Sequence, residues 1–506
     1  MLSTGTQKLN IVMAASEAVP YAKTGGLADV VGALSVELVK LGHGVTLILP
    51  GYPSRTSVRS RQTLFQLAIP TYQGIVTATV EEDIVSVVGS RLPLRVWFVC
   101  YDPYFDRPGL YQQDHRDYPD NLDRFVLFCR GVLQALCVLV RTRGERVDVL
   151  HAHDWQTALC AVYLKTFRHE YPELDGLRSL FTLHNVGYQG IFPALQFSKT
   201  GLPSNVFSLN GLEFYGAMNC LKGGIIFSDA VSTVSPTYAK EILTAEYGCG
   251  LEGVLANRVE GIKGITNGID ASVWDPAHDR YLPARYSEKD LSGKQVCKSA
   301  MQHELRLPNH DVPLLVAVGR LTTQKGFDLL IDIIPELMML DAQVAILGIG
   351  DDALERQLLD IQARYPARIG LHLGFDEGLA HRMIAGADIL IMPSRYEPCG
   401  LTQLYSLRYG TVPIVRYTGG LADTVVPFRP STVKAGRATG FHFLEASSNP
   451  LLSTILLSLQ TYKERETWLS LVRTGMAQDV SWRQSANLYG ELYNQMTVAS
   501  ESQAKR

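Results

Sequence analysis

Two stretches of the chain carry the same glycine turn, whose residue types suit the binding of an anion. The hexapeptide TGGLAD occurs at residues 24–29 and again at 418–423, each time after an apolar run and before a helical pattern. Adjacent glycines let backbone N–H groups approach a ligand, and the N-terminus of a following helix favours negative charge. Each copy is therefore a candidate cradle for a phosphate or a sugar hydroxyl, and a tight turn without a ligand is the alternative.

Two cationic side chains follow another apolar run. Arg320 and Lys325, in AVGRLTTQKGFDLL, are five residues apart and precede a helical pattern. One loop could therefore direct a planar guanidinium and a compact ammonium at the same diphosphate. Solvated surface cations are the alternative interpretation.

A carboxylate stands in a comparable place in DILIMPSRYEPCGLTQLYSL. Glu397 follows the apolar run, and Pro398 and Gly400 shape a turn before a helix that begins near Leu401. This carboxylate would meet whatever the glycine turn holds. Cys399 has no adjacent histidine, so we expect it to line a wall rather than to react as a thiol.

Two histidine-containing stretches, HAHDW at 151–155 and LHNVGYQG at 183–190, each end an apolar run. Asp154 and His184 could therefore converge on one crevice. HxHD also begins some zinc sites, but the further His and Cys ligands that zinc needs are not visible nearby, so no metal is predicted. One of His151 and His153 is expected to point into the sheet, because alternate strand positions face opposite ways.

A dinucleotide-binding oxidoreductase is a rival interpretation. GIGDDA at 348–353 fits the loose pattern G-x-G-x-x-A after VAIL. A lone match of this kind is weak, the first strand of neither half leads into such a motif, and no acidic residue is clearly placed for a ribose. We therefore expect no nicotinamide cofactor.

Short β-rich runs alternate with helical patterns along almost the whole chain, which predicts parallel sheets with helices on both faces. The runs of the first half are LNIVMAA, VTLILP, LRVWFVC, VDVLHAHD, RSLFTLHN and AVSTVS, and those of the second half are PLLVAVGR, VAILGIG, IGLHLGF, DILIMPS and TVPIVRY. Each set suffices for one doubly wound sheet. In such sheets a ligand sits beyond the carboxyl ends of the strands, where both glycine turns are placed.

The Gly-, Asn- and Pro-rich stretch GIKGITNGIDASVWDPAHD separates the two halves. We place a domain boundary near residues 262–270, with a first domain over 1–262 and a second over 263–478. The last segment, 479–506, is predicted to be helical and could pack back on the first domain.

The length, composition and net charge of the chain narrow the possible classes of protein. The chain has 506 residues, 46% of them hydrophobic, with a net charge of −3 and opposite charges interspersed, so nothing draws it to nucleic acid or an anionic membrane. Eight scattered cysteines without a CxxC pair indicate a reduced, intracellular protein. No apolar leader precedes the first strand, and the apolar run at 131–140 is too short to span a bilayer. These features predict a cytoplasmic protein.

Taken together, the motifs resemble those of bacterial glycogen synthase and plant starch synthase. They are KTGGLADV, HAHDW, HNVGYQG, SPTYAKEI, YGCGLEGVL, TNGID, GRLTTQKG, PSRYEPCGLTQLY and YTGGLADTV, in order from about residue 9 to 490. The resemblance implies the GT-B fold, in which two doubly wound Rossmann-like domains face each other across a cleft. The first domain would bind the acceptor, the second would bind the nucleotide sugar, and one glycine turn per domain would close on one ligand.

The resemblance also implies a reaction. Glucose would pass with retention from ADP-glucose to the nonreducing 4-OH of an α-1,4-glucan, such as glycogen, amylose or amylopectin, and ADP would leave; ADP-glucose is a substrate, so no cofactor is expected. The catalytic residues implied are Glu397, His184, Arg320, Lys325 and Asp154. The donor-binding residues implied are Lys23, Gly25, Gly26, Asn185, Asn267, Gly374, Phe375, Cys399, Gly400, Leu401, Thr402, Thr418, Gly419 and Gly420. The resemblance is also compatible with association with polyglucan granules.

One difference from related transferases and two departures from the family pattern bear on this implied mechanism. Related transferases place a second Glu eight positions after the first, but this chain has Tyr405, so same-face attack is favoured, with the departing phosphate helping to take the acceptor proton. Glu397 would then orient sugar and charge rather than bond covalently. Phe375 stands where relatives often have Tyr, which keeps stacking on adenine but loses a hydroxyl. Cys249 is smaller than the residue expected there, which would change the packing on the acceptor side.

Two further alternatives share the expected fold. Another GT-B glucosyltransferase, of the sucrose or trehalose-phosphate synthase type, would use a small sugar acceptor. A catalytically silent glucan-binding protein would have lost activity, and the retained Lys23, His184, Arg320, Lys325 and Glu397 argue against it.

Overall fold

The computed structural model describes residues 7–53, 61–114 and 116–504, with side chains up to residue 498. The chain divides into two compact units. The first consists of the chain up to Asn267 together with the segment from Trp482 onward, and the second is Gly268–Ser481. The division after Asn267 lies in the TNGID stretch.

Within the described residues, the first unit is built on a nine-stranded sheet and two small sheets. Its strands are β1 (Asn10–Ala14), β2 (Gly44–Pro50), β3 (Gln62–Thr71), β4 (Gly74–Val85), β5 (Leu94–Cys100), β6 (Gln112–Gln113), β7 (Arg116–Asp117), β8 (Val149–His153), β9 (Arg178–Leu183), β10 (Ile191–Pro193), β11 (Glu213–Phe214), β12 (Ala217–Asn219), β13 (Ala230–Thr233) and β14 (Lys263–Gly264). Its helices before the second unit are α1 (Gly26–Lys40), α2 (Asp102–Phe105), α3 (Asn121–Arg143), α4 (Trp155–Thr166), α5 (Cys220–Phe227), α6 (Pro236–Glu241) and α7 (Glu252–Ala256).

The large sheet has the strand order β14-β13-β9-β8-β1-β2-β5-β4-β3. The six apolar runs predicted for the first half are all strands of its parallel part. The antiparallel hairpin β3–β4 at the edge was not predicted from the sequence. Residues of β3 alternate between exposed and covered positions instead of forming a continuous apolar run, because this edge hairpin is solvated on one face.

Helices cover both faces of this sheet. Val12 and Ala14 of β1 pack into one core with α3, α4 and α5, whereas Ile11 and Met13, which alternate with them, pack into another with α1. Parallel strands are covered in this way because both of their faces carry apolar side chains.

Helix α3 is the one helix in the described part of the chain that is long and apolar enough to cross a membrane. It extends well beyond the ten-residue run that the sequence singled out. Most of it is buried against the sheet and neighbouring helices, and Phe128 and Leu133 are fully buried. The helix is therefore a core element of the first unit.

The second unit is also an α/β structure. Its strands are β15 (Leu314–Val318), β16 (Gln343–Gly348), β17 (Ile369–Leu373), β18 (Ile389–Met392), β19 (Val412–Arg416) and β20 (Phe441–Phe443). Its helices are α8 (Ser292–Glu304), α9 (Phe327–Asp332), α10 (Ile334–Leu337), α11 (Asp352–Arg364), α12 (Glu377–Gly386), α13 (Thr402–Arg408), α14 (Gly419–Thr424), α15 (Pro430–Lys434), α16 (Ser448–Lys463) and α17 (Arg465–Met476).

These strands form one parallel sheet in the order β17-β16-β15-β18-β19-β20. The five predicted runs are all present, and β20 was missed because three residues are too few for a recognisable pattern. One face packs on α9, α10, α11, α16 and α17, and the other packs on α8 and α12. Each unit is thus a doubly wound α/β layer structure.

The final helix, α18 (Trp482–Ala504), belongs to the first unit. Several of its residues are buried in the same core as α1 and the β1 residues Ile11 and Met13, among them Trp482, Ala486, Tyr489 and Tyr493. The first unit is therefore assembled from two separate segments of the chain.

Candidate active site

Strand order determines which loops meet in each unit. In the second sheet the chain runs outward from β15 to one edge and from β18 to the other, so its direction switches between these two central strands. In the first sheet the same switch lies between β1 and β8. Loops at the carboxyl ends of strands on either side of a switch point open a crevice, which is the usual ligand site of such sheets. Most of the candidate residues follow β15 and β18 in one unit and β1, β8 and β9 in the other.

An ion pair lies at the switch point of the second unit. Lys325 ends a short 3-10 helix after β15, and its Nζ is 2.5 Å from Oε2 of Glu397, which follows β18. Ser394 Oγ donates a second hydrogen bond to the same oxygen, at 3.0 Å. Glu397 is buried and Lys325 is partly exposed. The structure thus brings together two residues that the sequence singled out separately, and Ser394 is a supporting residue that sequence reasoning missed.

The second glycine turn packs directly on the loop that carries Glu397. A Cβ on Gly419 would lie 2.0 Å from the carbonyl oxygen of Glu397, and one on Gly420 would lie 2.2 Å from that of Cys399. The Gly420 N–H donates to the carbonyls of Glu397 and Pro398, both at 3.1 Å. These glycines are therefore required by close backbone packing, and the amide of Gly420 is already engaged by the protein rather than turned to a ligand.

The first glycine turn is built differently. A Cβ on Gly25 would have no atom within 4 Å, so the turn is open on that side. Gly26 begins α1, and Lys23, which precedes the motif, lies 2.8 Å from Oδ1 of Asp29 within it. The two copies thus share a sequence but not an environment.

A buried carboxylate that sequence reasoning missed holds the first turn. Glu17 accepts hydrogen bonds from the backbone N–H and, at 2.7 Å, the hydroxyl of Thr24. The Tyr111 hydroxyl donates to it at 2.6 Å. Burial raises the pKa of Glu17, and these hydrogen bonds oppose that shift. An acidic residue inside the largely apolar stretch MAASEAVPYA was the only sequence signal that could have revealed it.

Asp154 and His184 do converge, at the carboxyl ends of the neighbouring strands β8 and β9. Oδ1 of Asp154 accepts a hydrogen bond from the backbone N–H of His184 at 2.8 Å. Burial raises the pKa of Asp154 to about 7, against the opposing effect of hydrogen bonds from the backbone of His184 and Asn185. Burial also lowers the pKa of His184 to about 3, so its imidazole is neutral. Asp154 has a left-handed φ of 57°, a strained conformation that aims its carboxylate at the next loop.

Both histidines of HAHDW are fully buried and lie on the same face of β8. Their rings are 4.0 Å apart, His151 bonds to Tyr493 of α18 and to Thr182, and Nδ1 of His153 is 3.0 Å from Nε2 of His184. The expectation that one of them points to the opposite side was wrong, because residues two apart in a strand share a face.

The other candidate residues of the first unit differ in burial and in their hydrogen bonds. Asn185 is half-buried, and its side chain accepts a hydrogen bond from the N–H of Gly187. Asn267 is buried, and its amide oxygen has no hydrogen-bond partner within the described chain. Cys249, also left-handed in φ, is exposed, and its carbonyl accepts from Gln189.

The remaining candidates of the second unit follow strand ends. Arg320 is exposed directly after β15, and Phe375, 79% exposed, follows Gly374 at the end of β17. The others lie in the loop from β18 to the start of α13 or after β19: Cys399 and Thr418 are buried, and Gly400, Leu401 and Thr402 are half-buried.

Tyr405 occupies the position where the related transferases mentioned above carry a second carboxylate. Its ring stacks on Trp274 with centroids 3.6 Å apart, and Trp274 stacks on His381 at the same distance. The position is therefore used for aromatic packing.

The two glycines of GIGDDA pack closely against a neighbouring loop. A Cβ on Gly348 would lie 2.2 Å from the carbonyl of Gly319, and one on Gly350 would lie 2.3 Å from that of Leu321, so both glycines serve close packing. Among the residues with described positions, no group of three or more His, Cys, Asp or Glu could hold a metal ion.

Two protein-family models match the chain, one in each half. A family model described as "Starch synthase catalytic domain" matches residues 10–257, and "Glycosyl transferases group 1" matches residues 301–468. Glycogen synthase 2 of Nitrosococcus oceani is 43% identical over 501 residues, 98% of this chain and 99% of its own. Glycogen synthase of Syntrophotalea carbinolica is 44% identical over 488 residues, 96% of this chain and 98% of its own.

Solved structures agree with the sequence comparisons. The catalytic domain of starch synthase IV from Arabidopsis thaliana, bound to ADP and acarbose, matches with a TM-score of 0.87 at 34% identity, over 97% of this chain and 100% of that one. A sucrose-phosphate synthase from Thermosynechococcus elongatus matches with a TM-score of 0.59 at 17% identity over 97% of this chain and 100% of that one, a likeness of fold alone. The chain belongs to the glycogen synthase and starch synthase family of hexosyltransferases with the GT-B fold.

Proposed function

We propose that the protein transfers glucose from ADP-glucose to the nonreducing 4-OH of an α-1,4-glucan, with retention of configuration and release of ADP. The observation that carries this proposal is the pair of Lys325 and Glu397 at the switch point of the second sheet. Lys325, a cation suited to a diphosphate, lies beside Glu397, a carboxylate suited to a sugar. The full-length similarity to glycogen synthases supports it.

In this proposal, cations stabilise the leaving ADP. Arg320 and Lys325 bind the diphosphate from the loop after β15, and Lys23 with Gly25 and Gly26 binds it from the loop after β1. Negative charge grows on the diphosphate as the glycosidic bond breaks, so fixed cations bind the transition state more tightly than the ground state. Lys325 then exchanges its bond to Glu397 for one to phosphate.

Glu397 acts beside the donor sugar without forming a covalent bond. A double displacement needs a nucleophile on the opposite face of the sugar, and the second carboxylate of such schemes is replaced here by the packed Tyr405. The acceptor therefore attacks from the face on which ADP departs, and the departing phosphate helps to take its proton. Glu397 orients the sugar and stabilises the charge that develops on it.

The remaining residues hold substrates. His184, Asn185 and Asn267 bind hydroxyls of the glucosyl unit, and Phe375 stacks on the adenine. Asp154 serves the acceptor side. The donor pocket is completed by Gly374, Cys399, Gly400, Leu401, Thr402, Thr418, Gly419 and Gly420. The enzyme needs no cofactor and acts in the cytoplasm.

The decisive experiment combines the purified protein with ADP-glucose and glycogen and measures released ADP together with glucan length. Release of ADP with chain extension is expected, at a higher initial rate than with UDP-glucose. Transfer to fructose 6-phosphate or glucose 6-phosphate without polymer growth would instead identify a small-acceptor synthase. No release of ADP with any acceptor would identify a silent glucan-binding protein.

The role of Lys23 can be tested separately. Lys23→Ala removes a cation that the proposal places on the diphosphate, so KM for ADP-glucose should rise about tenfold or more, the loss expected for a charged hydrogen bond. Lys40→Ala is the matched control, because Lys40 belongs to the same helix region and forms a similar surface pair, with Glu37 at 2.6 Å. Equal KM values for the two variants would contradict the role of Lys23.

A further inference from the structure

A second imidazole lies directly behind His184. His153 is fully buried at the end of β8, and its Nδ1 is 3.0 Å from Nε2 of His184 at the end of β9. His184 is partly exposed, and none of the hydrogen bonds in the described chain involves its Nδ1. His184 thus touches His153 with one ring nitrogen and leaves the other to meet a ligand.

Both rings are neutral, which limits where the protons can be. Burial lowers the pKa of His153 well below its ordinary value and that of His184 to about 3. A neutral imidazole has one N–H and one bare nitrogen, so the contact needs one donor and one acceptor. Either His153 donates from Nδ1 to a bare Nε2 of His184, or His184 donates from Nε2 to a bare Nδ1 of His153.

The far side of His153 distinguishes these two arrangements. Its Nε2 is buried and has no hydrogen-bond partner among the described residues. In the first arrangement this nitrogen is a bare acceptor, and in the second it is an N–H donor without a partner. Buried N–H donors without partners are rarer in proteins than under-satisfied acceptors, and each one costs the full desolvation of its N–H group. The first arrangement is therefore favoured.

The neighbouring His151 has no such asymmetry. Its Nδ1 lies 2.8 Å from the Tyr493 hydroxyl and its Nε2 lies 2.6 Å from that of Thr182. Hydroxyls can rotate to donate or accept, so either tautomer of His151 is satisfied. The Nε2 of His153, which has no partner among the described residues, thus determines which of the two histidines donates the hydrogen bond between them.

We propose that His153 is a positioning residue that fixes the tautomer of His184, so that His184 presents an N–H donor at Nδ1 to the substrate. The sugar hydroxyl that meets His184 must then accept a hydrogen bond, and its own proton is directed elsewhere. This inference rests on the proposed function for the identity of the substrate. The tautomer itself is a property of the protein alone.

The direct test is ¹⁵N NMR of the full-length protein labelled at histidine. Protonated and bare ring nitrogens have well-separated ¹⁵N shifts, and the His184 signals are assigned by their loss in a His184→Asn variant. The expected result is a proton on Nδ1 of His184. A proton on Nε2, or an equal mixture of the two tautomers, would overturn the proposal.

Variants of His153 test whether it is the cause. His153→Asn keeps a side-chain N–H close to the original Nδ1, whereas His153→Leu fills similar space without a donor. We expect Asn to retain the Nδ1 tautomer of His184 and Leu to lose it. With ADP-glucose and glycogen, kcat/KM should fall about tenfold in the Leu variant, the value of roughly one hydrogen bond, and recover largely in the Asn variant.

His151→Leu is the matched control, because it removes an equally buried imidazole from the same face of β8. It should leave the tautomer of His184 unchanged. A control that shifts the tautomer as much as His153→Leu would show a general effect of packing and refute the assignment. If the Leu variant fails to fold, the wild-type and Asn spectra still decide. A wild-type protein with the Nδ1 proton but no synthase activity would refute the proposed function only.

Discussion

At the scale of single residues, Lys325 and Glu397 illustrate what the sequence can and cannot reveal. Each was recognisable as a functional candidate from its place between an apolar run and a helix. Their ion pair was not recognisable, because the two residues are 72 positions apart in the sequence. They meet because β15 and β18 are neighbouring strands in the sheet. Residue type and local pattern predict a role, whereas the partner depends on strand order.

Replacing Glu397 tests its catalytic role. Glu397→Ala should lower kcat at least about a hundredfold, the usual effect of removing one group that stabilises transition-state charge. The fold should persist, because Gly419 and Gly420 pack on the backbone of this loop and not on the carboxylate. Kinetics are compared with Glu397→Gln, which keeps shape and loses charge, and thermal unfolding checks the fold. A kcat close to wild type in the Ala variant would contradict the assignment.

Asp154 should impose a pH dependence on catalysis. Burial raises its pKa from 3.8 to about 7, so the carboxyl is protonated below neutral pH and ionised above it. The ionised form accepts the hydrogen bond from His184 more strongly, so kcat/KM should rise as pH increases through about 7. Because the native state binds this proton more tightly than the unfolded chain, the same group lowers the free energy of unfolding as pH rises from about 4 to about 7.

The control for this profile is a pair of substitutions. Asp154→Asn cannot ionise and should abolish the inflection near pH 7. Asp175→Asn changes an exposed carboxylate that pairs with Arg168 and should leave the profile as it is. An inflection that survives in Asp154→Asn would assign it to another group.

At the scale of elements, the repeated glycine turn shows that one sequence can serve two purposes. The copy at the start of α14 is fixed by backbone packing on the Glu397 loop, whereas the copy at the start of α1 is open at Gly25 and is held by Glu17. The fold and the placement of both turns at helix starts were predictable from the sequence. Their different surroundings were not, since they depend on which loop lies beside each turn.

Alanine substitutions separate the two purposes. Gly25→Ala should change the free energy of unfolding by no more than about 1 kcal/mol, because the added Cβ meets nothing and the residue is an N-cap with extended backbone. Its effect should appear instead in KM for ADP-glucose, which should rise. Gly420→Ala should destabilise the protein by about 1–3 kcal/mol through overlap with Cys399. Equal loss of stability in the two variants, measured by denaturant unfolding, would be inconsistent with this difference.

The misjudged elements have physical explanations. Continuous apolar runs identify strands covered on both faces, so the parallel core was predicted and the half-solvated hairpin β3–β4 was not. The error over His151 and His153 came from treating residues two apart as alternating. Glu17 and Ser394 were missed because supporting carboxylates and hydroxyls have no characteristic spacing from the groups they hold.

At the scale of the whole molecule, α18 ties the end of the chain to its beginning. Trp482, Ala486, Tyr489, Leu492 and Tyr493 are buried with α1 and β1. Burial of a large apolar side chain contributes roughly 1.5–3 kcal/mol, so these residues together rival the 5–15 kcal/mol by which a typical domain is stable. The first unit should not be stable without this helix.

A chain that ends at Ser481 tests this expectation. We expect it to aggregate, or to lose hydrogen-exchange protection in β1 and β2 while β15 and β16 keep theirs. Leu488→Ala in the full chain is the control, since Leu488 lies on the same helix but is 43% exposed and should matter little. A truncated chain with unchanged protection in both sheets would contradict the structural role of α18.

The return of α18 to the first unit also bears on how the polypeptide is made. On the ribosome, residues up to Asn267 emerge early, yet the part of their core that α18 covers stays exposed until the whole of Gly268–Ser481 has been translated. The second unit is contiguous and has all of its parts as soon as it leaves the exit tunnel. The second unit can therefore complete its fold before the first, which needs α18 to bury its core.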